Sequence, residues 1–235
     1  MRHWDGLQLD DFLVCHPRIR ITEINDDKVE LAGEYHLKAQ LVGSQLIDKT
    51  FRLRFVCPRE YPSKLPTVLD ESNYFPRSQE YHTYTNGSFC LGSELKIKSL
   101  LHSDQSIAAF FENIVDPFLY AVSHRIEFGN YPFGELAHGE KGLIDDYEDI
   151  FGLQGKKAVV LALNALGKRK REANKLPCPC RCKKRLGRCE YRFILNGFRM
   201  IERRRWFREH LKQSFTLIER PAKKKRTLNS KTKGA

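Results

Sequence analysis

In Val29-Glu30-Leu31-Ala32-Gly33-Glu34-Tyr35-His36-Leu37-Lys38-Ala39-Gln40-Leu41, apolar and polar side chains alternate with almost no break. Val29, Leu31, Tyr35, Leu37, Ala39 and Leu41 fall on one side, Glu30, Glu34, His36, Lys38 and Gln40 on the other. A period of two over this length predicts a β-strand with one wet face, as in an antiparallel sheet. Working outward, Gly43-Ser44 supplies a turn, and Phe51, Leu53, Phe55 and Cys57 alternate with Arg52, Arg54 and Val56 as a second strand. A short third strand is expected around 67–69. Pro58, Pro62, Pro66 and Pro76 punctuate a stretch that can be neither regular helix nor central strand. Beyond it, Ser103 or Asp104 can cap a helix in which Ile107, Phe111, Ile114, Phe118 and Val122 recur at helical spacing, with Pro117 expected to kink it. Strands first and helices after predict an α+β domain.

The 235 residues carry 41 Lys+Arg against 29 Asp+Glu, a formal net charge of +12 that is unevenly spread. Residues 155–235 hold 26 Lys/Arg and 5 Asp/Glu, a net of +21, whereas residues 1–154 hold 15 and 24, a net of −9. That asymmetry predicts parts with different partners: a domain over 1–152, a basic Cys-rich helical module over 153–220, and a disordered basic tail over 221–235. Hydrophobic residues at 41% and charged residues at 30% argue against wholesale disorder. No apolar run approaches the roughly 18–20 residues of a membrane span, and Met1-Arg2-His3-Trp4-Asp5 opens no signal-peptide core. A cytoplasmic protein without a membrane partner is expected. Four of its seven cysteines crowd between Cys178 and Cys189, which in a reducing compartment suggests metal before disulfides.

Between sheet and helix lies Glu80-Tyr81-His82-Thr83-Tyr84-Thr85-Asn86-Gly87-Ser88-Phe89-Cys90-Leu91-Gly92. Asn86-Gly87 is a turn signal and Gly92 a second flexible point, so Cys90 sits on or beside a loop, as a nucleophile or as a small buried hydrophobe. Cys15 and Cys57 lack such a setting and read as core. Phe55-Val56-Cys57-Pro58-Arg59-Glu60-Tyr61-Pro62-Ser63-Lys64-Leu65-Pro66 resembles the strand-to-loop passage of ubiquitin-conjugating enzymes. His82 followed by Gly87-Ser88-Phe89-Cys90-Leu91 resembles that family's active-site segment. The likeness covers about residues 25–125 and is greatest to bacterial members of ubiquitin-like conjugation operons associated with phage defence. It departs from the family where His-Pro-Asn reads His82-Thr83-Tyr84, so the oxyanion-stabilising Asn is missing from its usual place, and where the Trp after the Cys is absent.

The resemblance implies an α+β ubiquitin-conjugating-enzyme-like fold. It also implies an acyl transferase whose Cys90 accepts a ubiquitin-like modifier as a thioester from an activating enzyme and passes it to a target amine. A thioester that must survive until the acceptor arrives suits a cysteine without a tightly coupled base. Asn86 is the nearest amide for the oxyanion, with a plain turn residue as the other reading. His82 resembles the family's loop-ordering His, with a catalytic base as the alternative. Asp104 and Asp116 can assist the acceptor amine or simply cap helices.

In the basic part, Lys157 to Leu166 reads as a helix. Cys178, Cys180, Cys182 and Cys189, interleaved with cations, make a tetrahedral zinc site, against a reading as reduced thiols. Their spacing is similar to the zinc motif at the carboxy terminus of SecA. Phe193, Leu195, Phe198, Ile201, Phe207, Leu211 and Phe215 suggest amphipathic segments. The +21 charge fits nucleic acid or an acidic protein surface. The rival function is therefore a non-catalytic adaptor that binds nucleic acid or ubiquitin-like proteins.

Overall fold

In the computed structural model, which describes residues 2–134, 137 and 139–215, the alternating stretch forms strand β2 (Lys28–Gln40). It pairs antiparallel along its whole length with β3 (Leu46–Pro58), from Lys28 opposite Pro58 to Gln40 opposite Leu46. The Ser44 N–H donates to the Leu41 carbonyl (2.9 Å), closing the turn read at Gly43-Ser44. β1 (Ile19–Ile24) and β4 (Thr67–Asp70) flank this pair, giving a four-stranded antiparallel meander in the order β1-β2-β3-β4. Val29, Leu31, Tyr35, Leu37, Ile47, Phe51, Leu53, Phe55, Cys57 and Val68 are buried. The opposite face carries solvent-exposed ion pairs such as Arg18–Glu34, which add little stability.

β1 closes on β2 only because residue 33 is glycine. Its φ is +152°, and a Cβ there would stand 2.1 Å from the Arg18 carbonyl oxygen. Gly33→Ala is therefore expected to destabilise the protein by about 2–3 kcal/mol. Thermal denaturation checks this, and an unshifted midpoint contradicts it.

α1 (Leu9–Cys15) and the run 107–128 cover the apolar face of the sheet. Phe12, Phe111 and Tyr35 pack ring on ring, with centroids 4.8–4.9 Å apart. Ser106 caps the run by accepting from the Ala109 N–H, and Asp104 accepts from the Ser106 N–H. The start thus falls two or three residues later than the sequence suggested. The run comprises α3 (Ile107–Phe110), a π-helical turn (Phe111–Val115) and α4 (Asp116–Phe128). Pro117 falls just after the π turn, whose wider spacing accommodates a residue lacking an N–H. Cys57 is buried, as read, and burial pushes its thiol up to about 12. Cys15 is exposed at the end of α1, contrary to its core reading, because α1 packs through Phe12.

A second apolar cluster gathers α5 (Gly139–Phe151), α6 (Lys156–Leu166), α7 (Lys170–Ala173), α8 (Tyr191–Ile201) and α9 (Arg204–Ser214) around Tyr147, Phe151, Leu163, Leu195 and Phe207. The charge break at 152–155 lies inside this cluster, between α5 and α6, so charge and packing divide the chain at different points. α2 (Glu94–Leu100) joins the two clusters: Ile97 belongs to the first and Leu95 to the second. Phe193, read as packing, is 60% exposed because the buried face of α8 runs through Tyr191, Leu195 and Phe198. The tail over 221–235 lies outside the described residues. Among the described residues no helix is long and apolar enough to cross a membrane.

Candidate functional site

Past β4 the chain returns as a small hairpin that positions Cys90. The Asp70 N–H donates to the Gly87 carbonyl (3.0 Å) and the Phe89 N–H to the Val68 carbonyl (2.9 Å), so residues 87–89 run along β4. Within the hairpin, Tyr84 N–H donates to Ser88 (2.9 Å) and Cys90 N–H to His82 (2.7 Å), with Thr83 bridged to Phe89. Phe89 points inward, its ring 4.4 Å from Phe118 and 5.1 Å from Phe75. A buried Phe89 leaves its neighbour Cys90 partly exposed at the base of the hairpin.

The ladder sets which side chains share a face. Pairings 82–90, 83–89 and 84–88 put Tyr84 and Cys90 diagonally across one face, within reach of an aromatic side chain. Interaction with the Cys90 thiol, as the first cause, raises Tyr84 above the ordinary phenol range. A raised phenol stays protonated at neutral pH and is therefore a donor. Sequence reading missed Tyr84. The available signal was the turn at Asn86-Gly87, which fixes the hairpin register and hence the cross-strand neighbours of Cys90.

His82 is brought to the same hairpin but is buried, at 6% exposure, in the left-handed conformation (φ 49°), with its ring 6.2 Å from Tyr131. Asn86 is exposed at the turn, where its carboxamide oxygen accepts from the Ser88 N–H (3.0 Å) and hydroxyl (2.7 Å). That is an Asx turn, which holds the loop. Gly87 (φ +88°) lets the Arg77 guanidinium pack against the turn, and Arg77 also pairs with the buried carboxylate of Asp70 (3.4 Å). Asp104 caps Ser106, and Asp116 accepts from the Tyr35 hydroxyl (2.6 Å), so both carboxylates are engaged in the fold. Burial pushes Asp116 above the usual carboxylate range.

The segment leaving Cys90 is held by the second cluster. The Ser93 N–H donates to Asp146 of α5 (2.9 Å), whose other oxygen pairs with Lys96 (2.9 Å). Lys98, also on α2, is buried and donates to the Ser63 carbonyl (2.6 Å) and to Glu94 (2.5 Å), and pairs with Glu202.

The four C-terminal cysteines form a second site. A knuckle is drawn together by the Cys178 N–H to Lys184 carbonyl bond (3.0 Å) and by the Leu186 N–H to Leu176 carbonyl bond (2.9 Å). Arg181 (φ 62°) and Lys183 (φ 61°) take left-handed turns on either side of Cys182. The sulfurs of Cys178, Cys180, Cys182 and Cys189 all lie within 4.8 Å of one another, an arrangement that can hold a metal ion. Burial holds Cys178 and Cys180 above the ordinary thiol range, whereas the Lys184 backbone N–H, as the first cause, lowers Cys182 to about 7.

Fold and sites together define an α+β protein with one loop cysteine beside a phenol and one four-cysteine cluster. Compared with protein-family models, curated proteins and solved structures, the chain matches none of them.

Proposed function

We propose that the chain is a ubiquitin-conjugating-enzyme-like acyl transferase, in which Cys90 carries a ubiquitin-like modifier as a thioester, in bacterial antiphage conjugation. The observation that carries this reading is the partly exposed Cys90 in a loop fixed on both sides, with the Tyr84 phenol alongside. The order of elements, a meander, a cysteine loop and then helices, is that of the family resembled in the sequence. Charging would exchange thioesters: the Cys90 thiolate attacks the carbonyl held by the activating enzyme, and that enzyme's thiolate leaves. In discharge, a target amine attacks the same carbonyl, the Cys90 thiolate leaves, and an amide forms. Incubation with an activating enzyme, ATP and a ubiquitin-like protein tests the reading. An adduct released by thiol reductant supports it, and the absence of any adduct refutes it.

In both steps negative charge develops on the carbonyl oxygen. Tyr84 occupies the sequence position of the family's missing Asn, and the hairpin sets it diagonally across one face from Cys90, which would carry that carbonyl. Tyr84 therefore takes the oxyanion-donor role in this reading; the turn engages the carboxamide oxygen of Asn86 and leaves its N–H₂ as the alternative donor. Tyr84→Phe is expected to slow discharge by about 10²–10³-fold, while the thermal midpoint stays put because the residue is 55% exposed. Single-turnover discharge to a free amine reads this. Equal rates would remove Tyr84 from the chemistry.

The cysteine cluster fits structural zinc. Four thiolates are a soft donor set, and Zn–S bonds of about 2.3 Å require sulfurs about 3.8 Å apart. The Cys178–Cys180 and Cys180–Cys189 separations are 3.2 and 3.6 Å, and all four sulfurs lie within 4.8 Å, so small shifts would bring them to that spacing. Zinc would supply cross-linking of the knuckle and no step of the transfer.

A further inference from the structure

Five cations and one carboxylate line a cavity of about 360 Å³ where α7 meets the junction of α8 and α9: Arg169, Lys170, Arg199, Arg203, Arg204 and Glu202. Glu202 offsets at most one of these five charges. Its carboxylate pairs with the buried Lys98 and accepts from the Arg203 N–H (3.1 Å). The Arg199 guanidinium donates to the carbonyls of Ala165 (2.7 Å), Leu166 (3.0 Å) and Lys168 (3.0 Å), which orients it and leaves its charge uncancelled. Burial first, and repulsion from Arg204 second, hold Arg199 below its ordinary range.

Among the described residues, no carboxylate pairs with Arg169, Lys170, Arg203 or Arg204, and all four are exposed. Like charges gathered around a concave surface repel one another, and an anion bound between them relieves that repulsion. The positive surface continues past the cavity, through Lys168 and Arg171 on one side and Arg208 and Lys212 along α9 on the other.

We infer that this cavity is a phosphate-binding site that seats the backbone of a nucleic acid. A polymer fits better than a lone phosphate because cations continue on both sides, so successive phosphates meet successive charges. No aromatic or amide side chain lines the cavity to read a base edge, so binding follows the backbone and is independent of sequence. Cys90 takes no part in this nucleic-acid contact, which lies on the folded module.

The test is fluorescence anisotropy with the full-length protein and a labelled mixed-sequence duplex of about 20 base pairs, across a salt series. Two variants are compared with wild type. One combines R169Q, K170Q, R203Q and R204Q; the other combines K223Q, K224Q, K225Q and R226Q. The cavity variant should bind roughly 10–100-fold more weakly at about 0.1 M salt, with a salt slope shallower by about 2–4. Its thermal midpoint should match wild type, since these side chains have no ion-pair partner to lose. Should that variant fail to fold, the single changes R203E and R169E read the same slope. Wild-type affinity in the cavity variant, or a loss confined to the tail variant, overturns the inference. So does wild-type binding of tripolyphosphate or anionic vesicles without binding of the duplex.

Discussion

Cys90→Ala is expected to abolish the reductant-labile adduct completely while leaving the fold intact. The first half follows from chemistry, because alanine has no nucleophile to hold the acyl group. The second follows from packing: Phe89, seated against Phe75 and Phe118, anchors the hairpin, whereas Cys90 is partly exposed. Removing one sulfur there leaves little cavity, so the thermal midpoint should move by no more than a degree or two. Cys90→Ser should instead trap an oxyester that resists thiol reductant, because an alkoxide is a poorer leaving group than a thiolate. If charging persists in Cys90→Ala, the acceptor is another cysteine. Cys15 is exposed and available, whereas Cys57 is buried with its thiol pushed up to about 12. The assignment of Cys90 would then be wrong.

Removal of metal is expected to have the larger effect on stability. The wild type should carry about one zinc per chain by elemental analysis, lost in Cys178→Ser and in Cys189→Ser. Cys178 and Leu186 of the knuckle belong to the second apolar cluster, as do Tyr147 and Phe151 of α5, so loosening the knuckle loosens that core. A metal present at about 1,000 times its dissociation constant adds about 4 kcal/mol. For a chain of this size that corresponds to a fall of roughly 8–16 °C in thermal midpoint on chelation. The pH dependence has a definite sign. Thiolates bind metal and thiols do not, and burial holds Cys178 and Cys180 above the ordinary range, so metal should be lost as pH falls. A metal-free wild type whose midpoint ignores chelators would remove zinc from the account.

Local periodicity and residue spacing account for part of this fold directly. The alternation over 29–41 and 51–57 fixed β2 and β3, because a one-residue slip would expose every buried side chain of the pair. Asn86-Gly87 fixed the hairpin that carries Cys90, and the close spacing of Cys178, Cys180, Cys182 and Cys189 left their thiols little room to separate. Elements without one continuous apolar stripe escaped that reading. β1 is an edge strand with only Ile19 buried, so its alternation is masked. α2 divides its apolar residues between two cores and shows no single stripe. α5 is an acidic segment with two glycines, and its Tyr147 and Phe151 find their packing partners, His210 and Phe215 for one and Phe198 for the other, far along the chain.

Tertiary structure alone decided the contacts between residues far apart in the chain. It set Asp146 on the backbone leaving Cys90, Glu202 on the buried Lys98, and Arg169 beside Arg204 around one cavity. It also put the exposed charge of Arg169, Lys170, Arg203 and Arg204 on one concave surface, whereas composition reported only that the second half is basic. The physical reason is the range of the signal. Period and turn chemistry act over a few residues, whereas charge and packing act through space, and only the folded backbone sets which residues are close in space.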